Sequence, residues 1–153
     1  MSIKIKKFQT NKTKLKEWTK EDFLMSLAMH VSDVQKGCVF IANKIIEAGI
    51  NHDYTKISLI DDFMEDNAKL AGVEFKAGKW ARAHYSTERH HLNDKCPDDV
   101  TLIDIIEMLV DCTMASMSRI GQPTGVIVSD EILQKAFKNT IEMLNKEIIF
   151  END

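Results

Sequence analysis

Cysteine is scarce in this 153-residue chain and does not pair up: Cys38, Cys96 and Cys112 form no CxxC motif. An odd number of cysteines with no apolar leader argues against a disulfide framework and predicts free thiols in a reducing cytoplasm. Long hydrophobic runs are missing too. The longest, Cys38 to Ala42, is far too short to cross a bilayer, so a soluble protein with no membrane partner is expected. Positive charge is in deficit: the formal net charge of −4 argues against a general duplex-DNA binder, which needs a basic surface to displace counterions. Small substrates fit that balance better. A phosphate loop is absent as well. Five residues rather than four separate Gly72 from Gly78, Trp80 stands where a magnesium-binding Ser or Thr belongs, and no strand precedes the stretch. The Asn11-Lys12-Thr13 sequon carries no meaning without an export signal.

What remains reads as helix. With 44% hydrophobic residues the chain is expected to form one domain over residues 1–153, large enough to bury a core without staples. Residues 1–18 open it as a basic arm, with six lysines and no acid before Glu17. Such an arm is a solvated terminus or a means of attracting an anionic substrate. Thr19 and Asp22 have the spacing of a capping box, and Phe23, Leu27, Val31, Val34, Cys38, Ile41 and Ile45 then recur at helical intervals. This predicts a helix of about 25 residues ended by Gly49, with His30 on its buried side. Ser58 with Asp61 suggests a second start, for a helix through Phe63 and Leu70 that Gly72 closes. Thr101 with Asp104 marks another, ended by Gly121 ahead of Pro123, and Ser129 begins the last.

Chemistry concentrates at a few places. In Gly49-Ile-Asn-His52-Asp53-Tyr-Thr-Lys56 a long apolar stretch meets an adjacent His-Asp pair. Neighbours on a regular helix point about 100° apart, so a pair meant to share an ion belongs where a helix begins or ends. Residues 79–93 hold His84, His90 and His91, three of the five histidines. His84 and His91 are seven apart, two turns on one face if a helix persists, whereas His90 joins them only through a break. Arg82 and Arg89, two of only three arginines, lie among them and suit phosphate better than lysine does. Glu107 and Asp111 fall one turn apart on the helix after Thr101, and Asp111 has the apolar neighbours Val110 and Cys112.

Taken in order, His30, His52-Asp53 with Lys56, His84, His90-His91 and Asp111 resemble the HD-domain superfamily of metal-dependent phosphohydrolases, most closely its short single-domain bacterial and phage members. The resemblance covers roughly residues 20 to 120. It implies an all-α, HD-domain-like bundle of five or six helices, in which His30, His52, Asp53 and Asp111 bind one divalent ion. Asp53 would bridge to a second ion held by His84 and one or both of His90 and His91. The implied cofactor is one or two transition-metal ions (Mn, Fe, Co or Zn, with Mg also allowed), because neutral imidazole suits these metals. Ser26 stands where a third ion would need a carboxylate, and the Gly-Tyr-Pro of the cyclic-dinucleotide branch is absent after His91. Neither feature is expected.

The implied activity is hydrolysis of a small phosphate ester, foremost a nucleoside or deoxynucleoside 5′-monophosphate, by water that a divalent ion has acidified. Asp53, Lys56 and Glu107 carry the catalytic roles on this reading. Lys56, Arg82 and Arg89 would neutralise phosphoryl charge, Glu107 would orient a ligand, and Trp80 would stack on a base. Two other readings use the same positions: an HD-type di-iron oxygenase, and a non-catalytic metal or nucleotide binder acting as a regulator. Self-association is left open.

Overall fold

Thr19 opens the first helix as its spacing from Asp22 predicts. The Thr19 backbone N–H donates to Asp22 Oδ2 (2.8 Å) and the Asp22 N–H donates to Thr19 Oγ1 (3.2 Å), satisfying two of the donors a helix start leaves free. The structure, a computed structural model, describes residues 2–8 and 17–151. Lys12, Lys14, Lys16 and the Asn11 sequon lie outside them.

The helix that follows, α1 (Lys20–Asn51), is 32 residues long and runs straight through Gly49. The expected stop there is corrected: one interior glycine costs about 1 kcal/mol, too little to end a helix that its flanks continue. The chain turns instead at Asp53, whose φ of 58° is left-handed. Two single-turn or longer segments follow, α2 (Tyr54–Ser58) and α3 (Ile60–Lys69), so Ser58 ends one helix and does not cap the next. Next come α4 (Val73–Lys76), α5 (Lys79–Thr87), α6 (Leu102–Ile120) and α7 (Asp130–Glu147). The Thr101–Asp104 capping box is formed at the start of α6, and left-handed Gly121 ends it, both as expected. The fold is all-α, with five helices of nine residues or more among the described residues. No helix among them is long and apolar enough to cross a membrane.

The chain divides into two compact units. The first comprises Met1–Lys44 and Ile141–Asp153. In it β1 (Ile3–Ile5) pairs in parallel with β2 (Ile148–Phe150), Ile3 opposite Ile148. Part of the expected basic arm is thus a strand, with Ile3 buried. Along α1 the periodic residues Phe23, Leu27, Val31 and Val34 are exposed, and His30 is exposed with them, which corrects its expected burial.

The second unit, Ile45–Thr140, carries its own core: Leu92, Val100, Met108 of α6 and Ala136 of α7, with Cys96, Ile105, Cys112 and Ile132 packed around them. A second cluster joins α3 to α5. Phe63 meets Trp80 edge-on at 5.0 Å between ring centres, and Phe75 packs on the same indole.

Candidate metal centre

The centre is built around the turn at Asp53, within the second unit. A left-handed residue other than glycine is strained by about 1 kcal/mol or more, and Asp tolerates it better than most. The turn brings together two side chains that a regular helix would splay: His52 Nε2 lies 3.3 Å from Asp53 Oδ2. From α6, Asp111 Oδ1 lies 3.4 Å from the same imidazole nitrogen. These spacings match the edge of a tetrahedron with bonds of about 2.1 Å, the length of transition-metal bonds to N and O.

The other oxygen of Asp53 faces a second set. Its Oδ1 lies 3.4 Å from His84 Nε2 and 3.7 Å from His90 Nε2. His91 Nε2 approaches His84 Nε2 to 2.9 Å. Here the structure reaches the expected meeting of His84 and His91 by another route: α5 stops at Thr87, Glu88 is extended, and the chain turns back so that both His90 and His91 come in from the following loop.

Supporting contacts fix which imidazole nitrogen is free. His52 Nδ1 hydrogen-bonds Glu107 Oε1 at 3.0 Å, which leaves its Nε2 lone pair facing Asp53 and Asp111. The same Glu107 oxygen lies 3.1 Å from His90 Nδ1, out of line for a good hydrogen bond. Thr55, buried just after the turn, donates its hydroxyl to Glu88 Oε1 (2.5 Å) and therefore accepts from His84 Nδ1 (2.6 Å). His84 Nε2 is then left with its lone pair, which faces His91 Nε2 at 2.9 Å and Asp53 Oδ1 at 3.4 Å. The Thr55 backbone N–H donates to the same Glu88 carboxylate at 2.8 Å. Behind His84, the Trp80 indole stacks almost parallel at 4.9 Å.

Charge follows the same division. Burial would raise the Asp53 carboxyl, but Lys56, His52 and His84 outweigh it and hold the group below its ordinary range. Glu107 is likewise held down, burial being outweighed by His90 and His52. Burial pushes the His84 imidazole down, aided by Lys56 and His90. His91 is pushed down to about 4 by burial and by the two neighbouring imidazoles. His90 runs the other way: burial would lower it, but Glu107, Asp53 and Asp111 raise it. Ionised Asp53 and Glu107 beside imidazoles held neutral at His84 and His91 are donors of the kind a divalent transition metal requires.

Three groups bring their ligand atoms within 4.8 Å of one another: His52 with Asp53 and Asp111, Asp53 with His84 and His91, and His52 with His90 and Glu107. Asp53 Oδ1 and His90 Nε2 are buried with no hydrogen-bond partner. Leaving such atoms unsatisfied costs about 1–3 kcal/mol each, and a cation between them would remove that cost. The residues fit a metal.

No family model, characterised protein or solved structure matches this chain. Function is therefore read from the side chains.

His30 belongs to the first unit, exposed on α1, and is in none of the three groups. Lys56 reaches Asp53 Oδ2 with its ammonium, at the exposed rim. Arg89 is engaged elsewhere: its guanidinium holds Asp104 through Nε (2.6 Å) and Nη2 (3.0 Å) and Asp99 through Nη1 (2.9 Å). It ties the loop carrying His90 and His91 to the start of α6, where the sequence predicts a contact with phosphoryl oxygens. Arg82 is exposed on α5 and donates to the Ala77 carbonyl. Trp80 is buried and its indole stacks on the His84 ring, where the sequence predicts stacking on a base. Thr55 and Glu88 were not singled out by the sequence. Glu88 stands one helical turn after His84, a spacing that in retrospect marks it.

Beside His52, Glu107 and Asp111 lies a cavity of about 370 Å³, walled by Ile45, Ala48, Ile103, Ile106, Val110 and Met114.

Proposed function

We propose that the protein is a metal-dependent phosphohydrolase acting on a small phosphate ester, foremost a nucleoside or deoxynucleoside 5′-monophosphate. The observation that carries this reading is the position of Asp53, whose Oδ2 faces the His52 imidazole and whose Oδ1 faces those of His84 and His90. A carboxylate so placed suits a pair of cations that hold a phosphoryl group between them.

His52, Asp53 Oδ2 and Asp111 would hold one ion; Asp53 Oδ1, His84, His91 and His90 would hold the second. When bound, such ions acidify water and withdraw charge from a phosphoryl oxygen. The chain's own residues do the rest. Glu107 keeps a proton on His52 Nδ1 and so keeps Nε2 available. Glu88, acting through Thr55, does the same for His84. His91 frees its Nε2 by carrying its proton on Nδ1, which faces Asp94 Oδ2 at 3.7 Å. Lys56 stands at the rim beside Asp53, where an ammonium offsets negative charge growing on a phosphoryl oxygen.

The test is phosphate release from a panel of nucleoside monophosphates by the full chain with Mn2+, against Asp53→Asn. That substitution keeps the shape and removes the charge that faces both sets. The expected loss is about 10³-fold or more in kcat with the circular dichroism unchanged. Turnover near wild type in the variant, or none on any ester by the wild type, refutes the reading; iron-dependent oxygen consumption would replace it with the oxygenase.

A further inference from the structure

The cavity beside His52 bears on which ester fits, an inference that rests on the phosphohydrolase reading. Its polar lining is confined to His52, Glu107 and Asp111, which lie together. Glu107 is already bonded to His52, and Asp111 faces the same imidazole. The rest of the lining is Gly49 and the side chains of Ile45, Ala48, Ile103, Ile106, Val110 and Met114, none of which offers a hydrogen bond to a ligand. Selecting one base among four relies on hydrogen bonds to the base edge, and a wall without donors or acceptors leaves buried polar edges unpaired. At about 370 Å³ the space is within the range of small-molecule sites and large enough for a ring system.

We propose that this cavity seats the organic group of the phosphate ester through apolar contact alone, so that the protein favours esters by the size and apolarity of that group and is nearly indifferent to base identity. The phosphoryl end then lies toward Asp111 and His52, and the ring lies along the face of α6 formed by Ile103, Ile106, Val110 and Met114.

The experiment compares two non-hydrolysable probes, methylphosphonate and 1-naphthylmethylphosphonate, by calorimetry on the full chain loaded with Mn2+. The naphthyl compound should bind tighter by at least about tenfold, since burying a ring removes a large apolar area from water. Val110 and Met114 are 49% and 63% exposed, so Val110→Asn and Met114→Asn are expected to keep the fold, which circular dichroism checks. Each should bring that preference several-fold closer to one. The four deoxynucleoside monophosphates should agree within about tenfold in kcat/KM. Equal affinity for the two phosphonates, binding of neither, or a preference unmoved in both variants overturns the assignment. A naphthyl preference that the variants reduce, in a protein that hydrolyses no ester, upholds the cavity and refutes the phosphohydrolase reading alone.

Discussion

His90 and His91 are adjacent in sequence and shifted in opposite directions. An unfolded imidazole takes up its proton near 6.5, whereas folded His91, buried against two other imidazoles, resists protonation down to about 4. Between those values the unfolded chain binds more protons. The His91 contribution to stability is therefore complete above about 6.5 and is lost as the pH falls through about 4. His90, raised by Glu107, Asp53 and Asp111, contributes with the other sign: its share is complete below 6.5 and is lost as the pH rises through its folded value. In metal-free protein, His91→Asn should flatten the fall in stability between pH 6.5 and 4.5 while leaving the alkaline side as it was. Urea unfolding at several pH values measures this. An acid slope equal to that of the wild type would show that His91 is not neutral in the folded chain.

At the scale of elements, α5 has to present His84 from a fixed position, and its start is held by a neighbour. Asp66 of α3 accepts the Trp80 backbone N–H at 2.7 Å and so caps α5 from outside. The approach requires glycine at 78: a Cβ there would lie 2.5 Å from Asp66 Oδ2 and 2.9 Å from the Phe75 carbonyl. Gly78→Ala should lower stability by about 1–3 kcal/mol, the usual cost of overpacking, and weaken metal binding through the displacement of Trp80 and His84. Unchanged denaturation and metal affinity would show that Asp66 yields freely. The features legible in the sequence were the ones written in short range. The caps at Thr19 and Thr101 and the stop at Gly121 each depend on residues within three or four positions, and all three formed. His52, Asp53, His84 and Asp111 could be picked out as candidates because their types are rare and chemically matched. The support of the centre was not legible. Thr55 meets Glu88 across 33 residues, and Arg89 meets Asp104 rather than a ligand; the spacing of Glu88 from His84 is a local hint, but it does not name Thr55 as the partner, and no local pattern sets the Arg89 pairing apart from surface charge. Nor does periodicity reveal that α1 continues past Gly49, since the turn depends on a strained Asp53 whose neighbours hold it.

At the scale of the whole chain, the centre sets negative carboxylates and unpartnered nitrogens in partly buried surroundings, and a bound cation should therefore stabilise the folded state. Asp53, Glu107 and Asp111 lie together with one ammonium, Lys56, at the rim. The unfolded chain spreads these groups out and binds a divalent ion far less well, so the folded state gains by mass action. At a metal concentration about 100 times the dissociation constant, one site contributes about 2.7 kcal/mol. For a chain of this length that corresponds to a rise in Tm of about 5–10 °C per site. Titration with Mn2+ should give two equivalents per chain, a thermal shift that EDTA reverses, and weaker binding as the pH falls and protons compete for the imidazoles. His84→Ala should remove one equivalent and about half of the shift, while His52→Ala should remove the other, because each imidazole faces a different oxygen of Asp53. One equivalent in the wild type, retained in His84→Ala, would assign the imidazoles of residues 84–91 to the substrate side. No thermal shift with Mn2+, Fe2+, Co2+ or Zn2+ would remove the metal from the centre altogether and with it the basis for hydrolysis.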